Sequence, residues 1–323
     1  MRKPTDKTET NKKLLREIYG EIPPRPVHLD YENKYLNENY AAGKAVFIEK
    51  NIISDLGERN AEFTVKTVMP KGKFPCPTII YLSDDKHIPN KFLPLEEIID
   101  RGYGIISVFA DDIAENNGNF KAKIASKIAR SRKKKSAASK TAIWTWALMR
   151  AIDLAYEDTA VDKSKIILAS HGVYSRATML AAAFDNRSRY VIANGLNCYP
   201  PLYSEENPKT AECVRDYPYL YCPSFANEPF GDEYYALLEG CNNTNILIGE
   251  AEDGYGCDPK KDLRYISTIL VENGYDKLEI TKEIPTAPMQ IEAGNISYHL
   301  RVGTDYLSRE DWNIYLDFID KSL

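Results

Sequence analysis

Short runs of aliphatic and β-branched residues recur along the chain and alternate with stretches of helical spacing. The runs are residues 78–82 (TIIYL), 104–110 (GIISVFA), 165–170 (KIILAS), 190–194 (YVIAN) and 245–250 (NILIGE). Each is nearly continuous in apolar character, as a strand must be when both of its faces are covered. Residues 92–101, 141–156, 176–185 and 262–273 carry the helical pattern between and after them. This alternation predicts an α/β fold with a mainly parallel central sheet and helices on both faces, a three-layer sandwich. Residues 62–68 (EFTVKTV) alternate apolar with polar and read as an antiparallel strand ahead of the parallel set; residues 309–323 close the chain as an amphipathic helix. The tryptophans of 141–156 fall where a buried helix face needs them. No internal repeat or low-complexity linker divides the 323 residues, so one domain is expected over 1–323, with the N-terminal segment (about 1–60) wrapping the core.

Composition excludes little. The net charge of -5 is mild and gives no reason to expect a nucleic-acid partner. The one basic run (Lys127, Arg130, Arg132 and Lys133 to Lys135) lacks interleaved aromatics and reads as a solvated loop or helix end. No stretch approaches the roughly 20 apolar residues of a membrane span. The basic start of the chain has no apolar run behind it, so a cytoplasmic location is expected. The six cysteines (Cys76, Cys198, Cys213, Cys222, Cys241, Cys257) form no CxxC pair and are expected to be reduced structural thiols.

In a sheet of this kind ligands bind beyond the carboxyl ends of the strands. The clearest strand-to-helix junction is Ser170-His171-Gly172-Val173-Tyr174-Ser175-Arg176. It occupies the place of a nucleophile elbow, G-x-S-x-G, without matching it. The surrounding residues resemble carbohydrate esterase family 15, the glucuronoyl esterases. The helix AIWTWALMRAIDLAYEDTAVDKSKI looks like the tryptophan-rich helix and lead-in to that family's elbow, G-H-S-R-x-G-K. Asp185-Asn186-Arg187 and then Val191 to Cys198 follow at the family's spacing. Ser297 to Leu307 (SYHLRVGTDYL) is similar to its GYHxRxGxHxL, and Glu250 to Pro259 to its AED…DP loop. The resemblance runs nearly the length of the chain, in order and spacing.

It implies an α/β-hydrolase fold and a carbohydrate ester cleft, with departures concentrated where the chemistry would be. The family's serine corresponds to Gly172, the oxyanion-holding arginine to Val173, and the catalytic histidine to Asp305. The acid after the next strand falls at Gly195; the alternative acid survives as Asp253. Arg176 stands for the lysine that contacts sugar hydroxyls. His171, Tyr174, Glu252 and Tyr255 complete the expected ligand-binding set. Glycine has no oxygen nucleophile, and loss of such a serine costs on the order of 10⁶ in kcat. The expectation is therefore an inactive esterase homologue that binds a uronic-acid-containing carbohydrate, with Arg176 as the anion contact. One alternative is an active ester hydrolase using Ser170 or Ser175; another is a non-enzymatic interaction protein. His299 reads as structural. Asp253, Glu252, Asp258 and Asp305 could converge on a cation, but no ligand spacing supports a metal, and no cofactor is expected.

Overall fold

A computed structural model describes residues 7–72, 74–129, 132–196, 214–227, 233–241, 243–254, 257–280 and 285–322. Among them one sheet runs in the order β1-β2-β3-β5-β4-β6-β7-β8-β10-β9. Its strands are β1 (His28–Tyr40), β2 (Ala45–Asp55), β3 (Asn60–Pro70), β4 (Cys76–Ser83), β5 (Gly104–Phe109), β6 (Val161–His171), β7 (Tyr190–Asn194), β8 (Asn245–Ala251), β9 (Met289–Ala293) and β10 (Ile296–Arg301). The block β5-β4-β6-β7-β8-β10 is parallel throughout. Antiparallel strands β1 to β3 extend one side and β9 the other. This is the expected α/β sandwich, with residues 28–55 paired as two strands onto the sheet.

The parallel strands are apolar because both faces are packed. Ile166 and Leu168 of β6 join one core cluster, with Trp144, Trp146, Met179 and Leu237, while Ile167 and Ala169 join the other, with Ile98, Trp312 and Ile319. The first face belongs to helices α3 (Lys140–Glu157), α4 (Ser175–Phe184), α5 (Glu233–Gly240) and α6 (Pro259–Glu272); α2 (Leu95–Asp100) and α7 (Arg309–Ser322) cover the second. The short helix α1 (Lys7–Lys13) precedes the strands and lies against α5. Full burial of each such aliphatic side chain is worth about 1.5–3 kcal/mol. All three tryptophans are buried, and each indole N–H donates to a carbonyl: Trp144 to Ala114 (2.8 Å), Trp146 to Pro24 (3.0 Å), Trp312 to Phe92 (2.7 Å). They are core residues, as their spacing requires.

Strand β10 is coupled to α7 by one buried carboxylate. Asp311 accepts from His299 Nε2 (2.6 Å), Arg301 Nε (3.0 Å) and the Ser308 amide (2.7 Å), and its own amide donates to Ser308 Oγ (3.1 Å). The last two bonds form a capping box that starts α7. The outer nitrogen of Arg301 donates to the carbonyls of Thr304 (2.6 Å) and Tyr306 (2.5 Å), so the same guanidinium grips the loop between β10 and α7. Burial pulls the Asp311 carboxyl up, but the bonds from His299 and Ser308 outweigh it and hold the group below the usual carboxylate range. A carboxyl lowered on folding stabilises the fold above its unfolded value, and that contribution is lost as pH falls through the lower folded value.

Asp311→Ala leaves the Arg301 charge buried without its anion and should cost about 3–5 kcal/mol, measured by urea denaturation. Asp311→Asn should flatten the acid limb of the stability curve, because the titrating group is gone.

Candidate active site

The elbow turn is built as its sequence position requires. Strand β6 ends at His171, Gly172 adopts φ +62°, and Ser175 begins α4. A left-handed φ is where glycine is at ease and a side chain is strained. A Cβ placed on Gly172 would meet no atom within 4 Å, so a side chain there would project into open space. That space is a cleft of about 290 Å³ at the carboxyl edge of β4 and β6. Its described walls include Tyr81, Ser83, Asp84, Asp85, Phe92 and His171 to Tyr174.

His171, Gly172, Val173 and Tyr174 thus line one cleft. Val173 is buried and offers an apolar wall where the resemblance places an arginine. Tyr174 packs edge-on against Trp144 with ring centroids 4.9 Å apart, so it forms a wall and leaves the cleft open. His171 is half-buried. Its Nδ1 lies 2.7 Å from Asn194 Oδ1, and its Nε2 lies 4.0 Å from Asp305 Oδ1. Asp305 sits on the loop that Arg301 grips, and so reaches the elbow from the far side of β10.

Other expected residues stand elsewhere. Arg176 is 3% exposed, and its Nε is 2.8 Å from Glu233 Oε1. The same carboxylate accepts from Tyr19 and from Tyr221 (3.3 Å). Arg176 is therefore an interior ion-pair partner under the first turn of α4, and its assignment as the anion contact of the cleft is corrected. The reason is charge: a buried guanidinium needs a buried anion, and Glu233 supplies it. Glu252 and Asp253 are exposed; Glu252 accepts the Gly303 amide (3.1 Å) and braces the loop instead of lining the cleft. Gly195, also at positive φ (+61°), donates its amide to Gly249 (2.7 Å) and links β7 to β8. Tyr255 lies outside the described residues.

Neither alternative nucleophile offers its hydroxyl to the cleft. Ser170 is fully buried with Oγ 2.6 Å from Thr178 Oγ1, and Ser175 donates to the carbonyl of Asn194 (2.8 Å). Burial first, and then the carboxylates of Glu250, Asp262, Asp258 and Asp305, push Cys257 up to about 12. No cluster of metal-ligand type occurs among the described residues, and there no helix is long and apolar enough to cross a membrane. Cys76, Cys222 and Cys257 are free thiols, and the Cys241 thiol donates to the Met179 carbonyl (3.1 Å); Cys198 and Cys213 lie outside the described residues. In the basic run, Arg132 packs over the Phe120 ring and donates to Ala138 and Tyr221 carbonyls, whereas Lys133 to Lys135 are exposed; Arg130 lies outside the described residues.

Three site residues escaped the sequence reading. Asn194 holds the imidazole and in turn donates to the Tyr315 hydroxyl (2.9 Å). Asp84 and Asp85 directly follow β4, and the rule that ligands meet the carboxyl ends of parallel strands points to them.

Comparison with known proteins fits this geometry. No family model matches the chain. A curated protein named carbohydrate esterase MZ0003, from an unknown prokaryotic organism, is 24% identical over 245 residues, 70% of this chain and 55% of that protein. The chain thus spans about half the length of the curated relative it matches. Among solved structures, a glucuronoyl esterase from Solibacter usitatus superposes with a TM-score of 0.82 at 21% identity, covering 97% of this chain and 91% of that one. A promiscuous esterase of carbohydrate esterase family 15, from a marine bacterial metagenome, gives 0.79 at 19% identity, covering 97% and 90%. A family 15 glucuronoyl esterase from Teredinibacter turnerae gives 0.78 at 16% identity, covering 99% and 86%. The fold is that of the glucuronoyl esterases, an α/β-hydrolase fold.

Gly172→Cys should place a thiol in the cleft that reacts with a small maleimide faster than buried Cys76, Cys222 or Cys241, read by mass spectrometry after peptide mapping. The left-handed turn should make that variant less stable by about 1–3 kcal/mol.

Proposed function

We propose that this chain is a carbohydrate-binding homologue of the family 15 esterases in which the seryl-ester route of hydrolysis is closed. The observation that carries this reading is Gly172. It holds the elbow conformation and opens into the cleft, yet brings no oxygen to it. The hydroxyls on either side of it in sequence, Ser170 and Ser175, are buried and hydrogen-bonded inward. A covalent acyl intermediate needs a nucleophile within reach of a base; Gly172 supplies none at the turn, and the Ser83 hydroxyl in the wall donates to the Asp85 carbonyl (3.2 Å). The likeness to carbohydrate esterases supports a sugar as the ligand.

The sugar is better matched if uncharged at its carboxyl position, as an ester or a neutral residue, than as a free uronate. Asp84 and Asp85 stand in the walls, and Arg176 is turned away to Glu233. Phe92 and Tyr81 supply aromatic surface, and Ser83, Asn90 and Asn116 supply polar groups suited to sugar hydroxyls.

A fluorophosphonate probe should label no serine of the folded protein, mapped by peptide mass spectrometry. Calorimetry should show stronger binding of xylo-oligosaccharides or methyl glucuronate than of free glucuronic acid. A labelled serine in the cleft would sink the first half of the reading; absence of heat with every sugar would sink the second.

A further inference from the structure

The turn at Gly172 brings no hydroxyl to the cleft, but an imidazole stands beside it. His171 is the last residue of β6, so its side chain points opposite to that of buried Ser170 and enters the cleft next to Gly172. Its orientation is fixed from behind. Asn194 donates through Nδ2 to the Tyr315 hydroxyl (2.9 Å), which turns Oδ1 toward His171 Nδ1 (2.7 Å). Tyr315 is itself fixed: a Cβ on Gly249 would collide with its hydroxyl and with the His299 ring, so β8 has a glycine where the tyrosine passes. An amide oxygen only accepts, so the network assigns the imidazole proton to Nδ1 and leaves a lone pair on Nε2.

That lone pair faces Asp305. The separation from Nε2 to Oδ1, 4.0 Å, is too long for a direct hydrogen bond. It is the span that one water bridges with two hydrogen bonds of about 2.8 Å. Such a water donates one hydrogen to each acceptor and presents its own lone pair to the cleft. Asp84 and Asp85 are the acidic residues of the described lining, and both are acceptors when ionised; Asp305 stands outside that lining, within reach of His171.

We propose that His171 and Asp305 form a water-activating dyad, making the chain a direct-water carboxylic ester hydrolase acting on sugar esters. This rests on the reading that the cleft binds carbohydrate, and goes beyond it by restoring a reaction without a covalent intermediate. The water oxygen forms a bond to the acyl carbon while its proton passes to His171 Nε2. The bond between the acyl carbon and the ester oxygen breaks, and its electron pair leaves with that oxygen, which takes the proton from Nε2. The products are a carboxylic acid and an alcohol, with no other reactant. Asp305 orients the water and stabilises the transient imidazolium; Asn194 is a positioning residue that fixes the tautomer.

The test uses the full chain with methyl glucuronate and with 4-nitrophenyl acetate. General-base catalysis contributes about 10²–10⁴-fold, so His171→Gln should slow hydrolysis by at least about 10²-fold. Asp305→Asn should lower kcat more than it raises KM. His28→Gln, at an exposed histidine on β1, should retain the wild-type rate. Thermal melts of each variant separate loss of the base from loss of the fold, and Asp305→Asn serves if His171→Gln does not fold. Acid-quenched protein should carry no acyl group. Equal rates in wild type and in both site variants overturn the dyad, as does an acyl adduct on the chain. Sugar binding with no turnover also overturns it and leaves the binding reading standing, whereas loss of binding and turnover together removes both.

Discussion

Burial of the central strands on both faces decides where this protein can do anything. Helices close both sides of β4, β5, β6, β7 and β8, and their side chains alternate between two dry cores. Polar chemistry is expelled from those faces, because an unpaired polar group there costs free energy with nothing to offset it. What remains is the edge where parallel strands end together and the chain must turn into helices. The cleft, the elbow and the acidic residues after β4 all lie at that edge. The site follows from the packing of the sheet before any catalytic residue is considered.

The residues that hold the site and the side chains that face the cleft are separate sets. Asp311 binds His299, Arg301 and the start of α7, and Arg301 carries the loop on which Asp305 stands. The turn at Gly172 keeps the left-handed backbone of an elbow. The imidazole at this edge comes from His171, the residue before the turn, and Asp305 stands 4.0 Å from its Nε2. Backbone placement and side-chain chemistry thus rest on different residues.

Much of the fold was readable where burial leaves a simple pattern. The expected strands at 78–82, 104–110, 165–170, 190–194 and 245–250 match β4 to β8 within a few residues, and the helices at 141–156, 176–185 and 262–273 match α3, α4 and α6 as closely. Strand β1 was not readable, because HLDYENKYLNENY is an exposed edge without apolar alternation, held by pairing to β2. Strand β10 hides the polar His299 and Arg301 in a fully buried run, which only Asp311 makes tolerable. At the strand edge, position along the chain points to His171, Gly172 and Asp305 but carries no side-chain direction. Arg176 was assigned to the cleft because its charge suited a ligand; Glu233, 57 residues away, claims it instead. Asn194 carries no sequence mark of its role, which arises from the register that sets β7 beside β6.

Glu233 has a consequence for how the chain tolerates being shortened. Its carboxylate gathers Tyr19, Arg176 and Tyr221, three side chains from well-separated stretches of the sequence, and Tyr19 stacks on Tyr221 at 6.2 Å between centroids. The tyrosine from the N-terminal stretch is thus one wall of the chamber in which the arginine behind the elbow is neutralised. Proteolytic trimming of that stretch would admit water to an ion pair that is otherwise dry and would loosen the first turn of α4 from behind. A stretch far from the cleft in sequence therefore helps to keep the Arg176–Glu233 pair dry.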